Sequence, residues 1–289
     1  MKIARFTSDD GPRLGVVVDG AIADLREATP DLPTDMPDLL SLGPAALTGA
    51  AEAAESASSR VPLEDVTLLA PVARPQKFLA VGLNYADHVA ETGLERPEFP
   101  LVFAKMPSCV VGPRDPVERP LASDRLDWEG ELAFVMGTRC RHVTREDASS
   151  VIAGYTIVND VSVRDWQVKT SQWILGKSFD THGPMGPWIV TADELGDPHA
   201  LSIRTLVNGV VRQESNTKHL IFSCFELVET LSTVLTLEPG DVIATGTPGG
   251  VGAMMDPPEF LKPGDTVRVE IEGIGALENT VVLETHPNA

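Results

Sequence analysis

Asp127-Trp128-Glu129-Gly130-Glu131-Leu132-Ala133-Phe134-Val135-Met136 sets two glutamates one residue apart at the head of an apolar run. Read as a β-strand, with its period of two, the run puts Glu129 and Glu131 on one face, roughly 6.6 Å apart along the chain. Two carboxylates leading into Leu132, Phe134 and Val135 repel each other and resist burial unless a cation neutralises them. A hard divalent ion such as Mg²⁺ does so, taking oxygen ligands at about 2.1 Å from carboxylates, waters and substrate oxygens. Taken alone, such a pair is far more often the solvated side of a half-buried strand, so the segments around it decide.

Downstream, Ile157-Val158-Asn159-Asp160 offers a third acid, and the run continues through Val161-Ser162-Val163-Arg164-Asp165-Trp166-Gln167 to Gly176-Lys177-Ser178-Phe179-Asp180. Upstream lies Gly82-Leu83-Asn84-Tyr85-Ala86-Asp87-His88, where Asn84, with Asp87 three residues on, predicts the capped start of a helical turn. His88 and Glu91, three apart, then share a face. From the residues alone they read as a surface pair or a capping cluster. Arg164 reads as a surface ion pair with Asp165, Gln167 as an exposed amide and Lys177 as a solvated loop lysine. Gly246-Thr247-Pro248-Gly249-Gly250-Val251-Gly252 reads as a tight loop; it lacks the Lys-Ser/Thr ending of a phosphate loop.

Taken together and in this order, these segments resemble the fumarylacetoacetate hydrolase family, in particular its smaller acylpyruvase and oxaloacetate-decarboxylase-like members, over about residues 77 to 281. The resemblance implies an α+β fold with a mixed β-roll or β-sandwich catalytic domain; periodicity alone gives only an α+β domain. It implies Glu129, Glu131 and Asp160 as ligands of Mg²⁺ or Mn²⁺, with Ca²⁺ as a third candidate. It implies His88 as the base that deprotonates water, oriented by Glu91 on a short helix or lid. Arg164, Gln167 and Lys177 would hold substrate oxygens and stabilise developing negative charge, and Thr247 with loop amides would receive a substrate carboxylate. Larger hydrolases of the family place a fourth carboxylate near the position of Asn84, so a three-carboxylate site is expected here.

The activity so implied is hydrolysis of a C–C bond in a 2,4-dioxo acid of the acylpyruvate or fumarylpyruvate type, through a pyruvate enolate stabilised by the cation. The alternatives are oxaloacetate decarboxylation or tautomerisation, or a hydratase or isomerase step in aromatic catabolism. A further alternative is a non-catalytic protein that binds metal and oxo acid. The partner expected is a small 2-oxo acid, and the family's habit predicts a homodimer.

Composition bounds the partners. Forty-two acids against 23 bases give a net charge of −19, a field that repels nucleic acid. It also repels acidic substrates, so an anionic ligand needs a local cationic pocket or a metal. No apolar run approaches the roughly eighteen residues of a membrane span, and the N-terminal stretch lacks a signal peptide's apolar core, which predicts a cytoplasmic protein without a membrane partner. Cys109, Cys140 and Cys224 show no CxxC spacing, and the six histidines form no HExxH pair, so neither thiolate nor nitrogen-rich zinc chemistry is indicated.

Two units are expected, a small N-terminal one over 1–70 and a catalytic one over 71–289, divided near Ala70-Pro71-Val72-Ala73-Arg74-Pro75. In the first, Lys2 to Thr7 and Leu14 to Ile22 predict strands with a hairpin turn at Asp19-Gly20, and residues 43–60 a helix and linker. In the second, Phe78 to Gly82 predicts a buried strand, and about Thr217 to Leu235 one amphipathic helix.

Overall fold

The computed structural model describes residues 1–285; the last four residues of the predicted catalytic unit lie outside the described residues. Gly130–Met136 is a strand buried along its whole length, and its period of two sorts the side chains between two cores. Leu132, Phe134 and Met136 pack with Ile157, Ile203, Val269 and the helix Cys224–Val234. Ala133 and Val135 pack on the other side with Ile3, Leu39, Ala50 and Val158. Glu131 falls on the Ala133 face. Gly130 faces the opposite way, where a Cβ would lie 2.3 Å from the Thr205 hydroxyl. A bare backbone between the two glutamates is what lets the second sheet approach.

The larger sheet runs Val61–Pro62, Ala21–Asp24, Gly11–Val18, Lys2–Ser8, Gly183–Thr191, Ile152–Asn159, Gly130–Met136, Val242–Ala244, Phe78–Gly82 and Leu101–Lys105. The smaller one has five strands in the order Val210–Asn216, Ser202–Val207, Thr266–Ile271, Gly275–Leu283 and Val117–Arg119. With helices at the margins, the architecture is α+β. Asp19 and Gly20 both turn at positive φ, making the predicted hairpin. The helix predicted within residues 43–60 spans Pro44–Ser56, and two shorter ones, Leu25–Ala28 and Met36–Ser41, precede it. The N-terminal strands are hydrogen-bonded into the same sheet as the rest, Lys2 opposite Val190 and Ile3 opposite Ile189.

Two expectations are corrected. The helix predicted from Thr217 spans only Cys224–Val234, because Ser223 and Glu226 close a capping box at its start. Before it lies only a single 3-10 turn, Thr217–His219, after which Ile221 and Phe222 donate their amides to the Asn84 carbonyl and side chain. For the same reason Asn84 does not cap the helix Ala86–Thr92. Its amide also donates to the Thr245 and Phe222 carbonyls, while Tyr85 stands at the cap position without a side-chain bond.

Candidate active site

Strand register assembles the site. Gly130 pairs with Asn159 in the antiparallel ladder, so Asp160, one residue on, lies beside Glu129, whose carbonyl accepts the Asp160 amide at 2.8 Å. On the other side Ala133 pairs with Ala244, which carries the chain two residues later to Gly246, opposite Glu131. Phe78–Gly82 runs parallel to Val242–Ala244 and leaves the sheet at the same end, delivering the helix Ala86–Thr92. Glu129, Glu131 and Asp160 thus offer carboxylate oxygens all within 4.8 Å of one another, every one of them buried.

Their charges are balanced unequally. Lys177 Nζ donates to Glu129 Oε2 at 2.7 Å and to Asp160 Oδ2 at 2.8 Å. Lys105 Nζ donates to Asp160 Oδ1 at 2.7 Å and to the Lys177 carbonyl. Arg164 Nη1 donates to Glu129 Oε1 at 2.5 Å. Burial works to raise the Glu129 pKa, but Lys177 and Arg164 outweigh it and hold it down at about 2. Burial likewise opposes the Lys177 charge, and Asp160 and Glu129 more than compensate, raising it. Glu131 receives only the Gly246 amide, at 2.7 Å, and no side-chain cation pairs with it among the described residues. Burial, then Asp160 and Glu129, push it well above the usual carboxylate range. The cluster therefore holds one buried carboxylate that lacks a counter-charge.

A cavity of 270 Å³ opens on this cluster and is lined by every candidate named from the sequence except Glu91 and Asp160. Arg164 is not a surface pair with Asp165. Its Nε donates to the buried Asp127 at 2.7 Å and its Nη1 also to Gln167 Oε1 at 3.0 Å, while its buried Nη2 has no partner. Gln167 and Lys177 are likewise buried rather than solvated. His88 Nδ1 lies 3.1 Å from Glu91 Oε2, and Glu91 Oε1 accepts the Gly250 amide at 2.9 Å, so the dyad is tied to the glycine-rich loop.

That loop departs from expectation. Its amides bond protein carboxylates, Gly246 to Glu131, Gly250 to Glu91, and Gly252 and Ala253 to Asp127, which leaves none of these four for a substrate. The Thr247 hydroxyl donates to the Gly130 carbonyl and accepts from Gln213, though it still borders the cavity.

Sequence reading passed over Lys105, Asp127 and Gln213. A lysine ending the apolar strand Leu101–Lys105 was a usable signal, since a buried ammonium needs a carboxylate partner. Asp127 stands two residues before Glu129, in phase with both glutamates, yet is committed to Arg164 and the loop. Nothing local to Gln213 marked it; its role comes from the second sheet meeting Gly130, whose amide it accepts at 3.0 Å.

The family model described as fumarylacetoacetate (FAA) hydrolase C-terminal matches residues 77–282, and one described as Rv2993c-like, N-terminal, matches residues 1–71. The mitochondrial oxaloacetate tautomerase fahd2 of Xenopus laevis is 44% identical over 98% of this chain and 90% of its own. A fumarylacetoacetate hydrolase from Exiguobacterium antarcticum is 40% identical, covering 98% of this chain and all of its own, with a TM-score of 0.87. A maleylpyruvate hydrolase from Sphingobium sp. SYK-6, solved with manganese(II) and pyruvate, is 37% identical over 99% of this chain and all of its own, with a TM-score of 0.82.

Proposed function

The chain belongs to the fumarylacetoacetate hydrolase family, and from that premise we propose that this enzyme is a divalent-metal-dependent oxaloacetate tautomerase. The observation that carries the proposal is that two residues lining one cavity bring a buried carboxylate without a counter-charge, on Glu131, and a buried guanidinium nitrogen without an acceptor, on Arg164. The first fits a cation and the second an oxo-acid carboxylate. The near full-length likeness to an oxaloacetate tautomerase points the chemistry to oxaloacetate rather than to the C–C hydrolysis first expected.

Three hard oxygen donors converging on one point suit Mg²⁺ or Mn²⁺, and Glu129, Glu131 and Asp160 would hold it. With all of them ionised, four carboxylates, Asp127 included, against Lys105, Lys177 and Arg164 leave the corner one charge negative. A divalent ion held there would reverse that sign and let an anionic substrate approach despite the acidic surface. When bound, the ion supplies Lewis-acid polarisation of the oxo group and a template for the oxo-carboxylate.

The side chains do the rest. Arg164 Nη2 receives a carboxylate oxygen, and Gln167, whose carbonyl is occupied by Arg164, offers its amide N–H. Lys177 Nζ, with two of its three donors bonded, adds positive charge where the oxo oxygen becomes negative. With Nδ1–H held by Glu91, His88 presents Nε2 as the base that takes the C3 proton or returns it. Tautomerisation needs that proton transfer at C3 and a matching one at the oxo oxygen, exchanged with water.

The second reading is the acylpyruvate hydrolase. The same His88–Glu91 pair favours it, because Nε2 would equally deprotonate a water. A parallel assay separates them. Protein with Mg²⁺ receives oxaloacetate enol or acetylpyruvate, the enol absorbance is followed, and pyruvate and acetate are quantified. Accelerated enol loss without product release supports the tautomerase; acetate and pyruvate formed at a higher kcat/KM would transfer the assignment to hydrolysis. A homodimer belongs to the same proposal, and sedimentation equilibrium of the purified protein tests it.

A further inference from the structure

The cavity has two unlike halves. Its two permanent cations, Lys177 and Arg164, are both bonded to Glu129 and so stand together at one end. The apolar part of the lining includes Leu83, Leu94, Phe103, Val168, Trp173 and Met254. Phe103 and Trp173 meet edge to face at 5.4 Å, and Lys177 Nζ sits 5.2 Å from the Phe103 ring centre, so the aromatic wall adjoins the charged end. Trp173 is seated by Gly82, where a Cβ would lie 2.5 Å from the indole. Leu94, Val168 and Met254 form an exposed apolar rim to the same half.

A four-carbon dicarboxylate leaves this half badly matched. With one carboxylate and the oxo group at the charged end, the second carboxylate of oxaloacetate extends toward apolar side chains that give it no hydrogen bond or counter-charge, a costly desolvation. An alkyl or aryl group there would instead bury apolar surface against Phe103 and Trp173.

We propose that the Phe103–Trp173 wall is a specificity site, and that the enzyme also tautomerises 2-oxo acids carrying an apolar substituent at C3, with Trp173 as the determining residue. This rests on the tautomerase reading of the same site. The step is unchanged: His88 Nε2 takes the C3 proton, the C–H electron pair forms the C2=C3 bond as the C2=O π bond opens, the oxygen takes a proton from water to become the enol, and the reverse restores the ketone. No oxidant or co-reactant takes part.

Phenylpyruvate is the probe, run beside oxaloacetate with Mg²⁺, each followed by its enol absorbance. The expected wild-type kcat/KM for phenylpyruvate lies within about tenfold of that for oxaloacetate or above it. In Trp173→Ala the phenylpyruvate-to-oxaloacetate ratio should fall about tenfold or more. Leu94→Lys, at a rim position 56% exposed where folding is not at stake, should lower the same ratio by offering a charge to the dicarboxylate. Turnover of oxaloacetate alone, or an unchanged ratio in Leu94→Lys, would overturn the specificity site. Turnover of neither acid would overturn the tautomerase reading beneath it.

Discussion

Glu131 is the residue on which the metal argument turns. Its carboxyl is pushed up by burial and by Asp160 and Glu129, so its ionisation costs folding energy that is absent at low pH and grows as pH rises through the elevated folded pKa. Glu131→Gln removes that cost and keeps an acceptor for the Gly246 amide. Without added metal the variant should therefore unfold at a higher temperature than wild type, by the equivalent of about 2 kcal/mol, yet gain nothing from Mg²⁺ in a melting experiment. A Mg²⁺-dependent rise equal to that of wild type would contradict the ligand assignment. His182 titrates with the opposite effect. Burial, then Lys105, lower its pKa to about 3 against a hydrogen bond from Nε2–H to the Glu118 carbonyl. Its folded pKa lies below its unfolded one, so its contribution is present above about pH 6.5 and is lost as pH falls toward 3, up to about 5 kcal/mol. Denaturant melts of His182→Gln across that window should show a flatter acid limb than wild type. Individual residues were partly legible in sequence. Glu129, Glu131 and Asp160 converge as the strand period and the motif order imply, whereas the burial of Arg164 and Lys177 depends on Asp127, Glu129 and Asp160 meeting them from other segments.

The helix Ala86–Thr92 shows what an element of seven residues needs in order to stay formed. So short a helix is marginal on its own propensity, and its anchors are tertiary: Val89 in the core, Asp87 accepting from Ser215 at 2.5 Å, and Glu91 accepting from Gly250. Glu91→Ala removes both the orientation of His88 and the tie to the loop. We expect kcat to fall by about 10²-fold with the Mg²⁺-induced melting shift retained, and an unaltered kcat would separate the dyad from the chemistry. Spacing of three showed that His88 and Glu91 share a face, but not that the face looks onto Gly250. The same limit explains the helix Cys224–Val234. Its apolar recurrence was visible, while its late start was set by Asn84, far away in sequence, binding Phe222.

At the scale of the whole molecule, the N-terminal strands and the catalytic region share one sheet and one core that runs from Ile3 and Leu14 to Val135 and Val242. The division at residue 70 was read from a Pro-bearing stretch, and the pairing of Lys2 with Val190 was invisible to any local pattern. We propose that 1–70 and 71–289 are evolutionary modules that unfold together, so calorimetry should give a single cooperative transition; two separated transitions would contradict it. The net charge of −19 acts at the same scale. Because the surface field repels an anionic acid, kcat/KM for oxaloacetate should rise as ionic strength goes from about 0.01 M to about 0.15 M and screening shortens that field. A steep fall would mean that local cations, not the whole-molecule field, govern approach. The central claim is that Glu129, Glu131 and Asp160 form a metal site for enol chemistry, and its most direct measurement is oxaloacetate enol–keto interconversion with Mg²⁺, after EDTA, and in Glu129→Gln. The account predicts catalysis that is lost on chelation, restored by Mg²⁺ and absent from Glu129→Gln; a wild-type rate in EDTA, or in the variant, would contradict it.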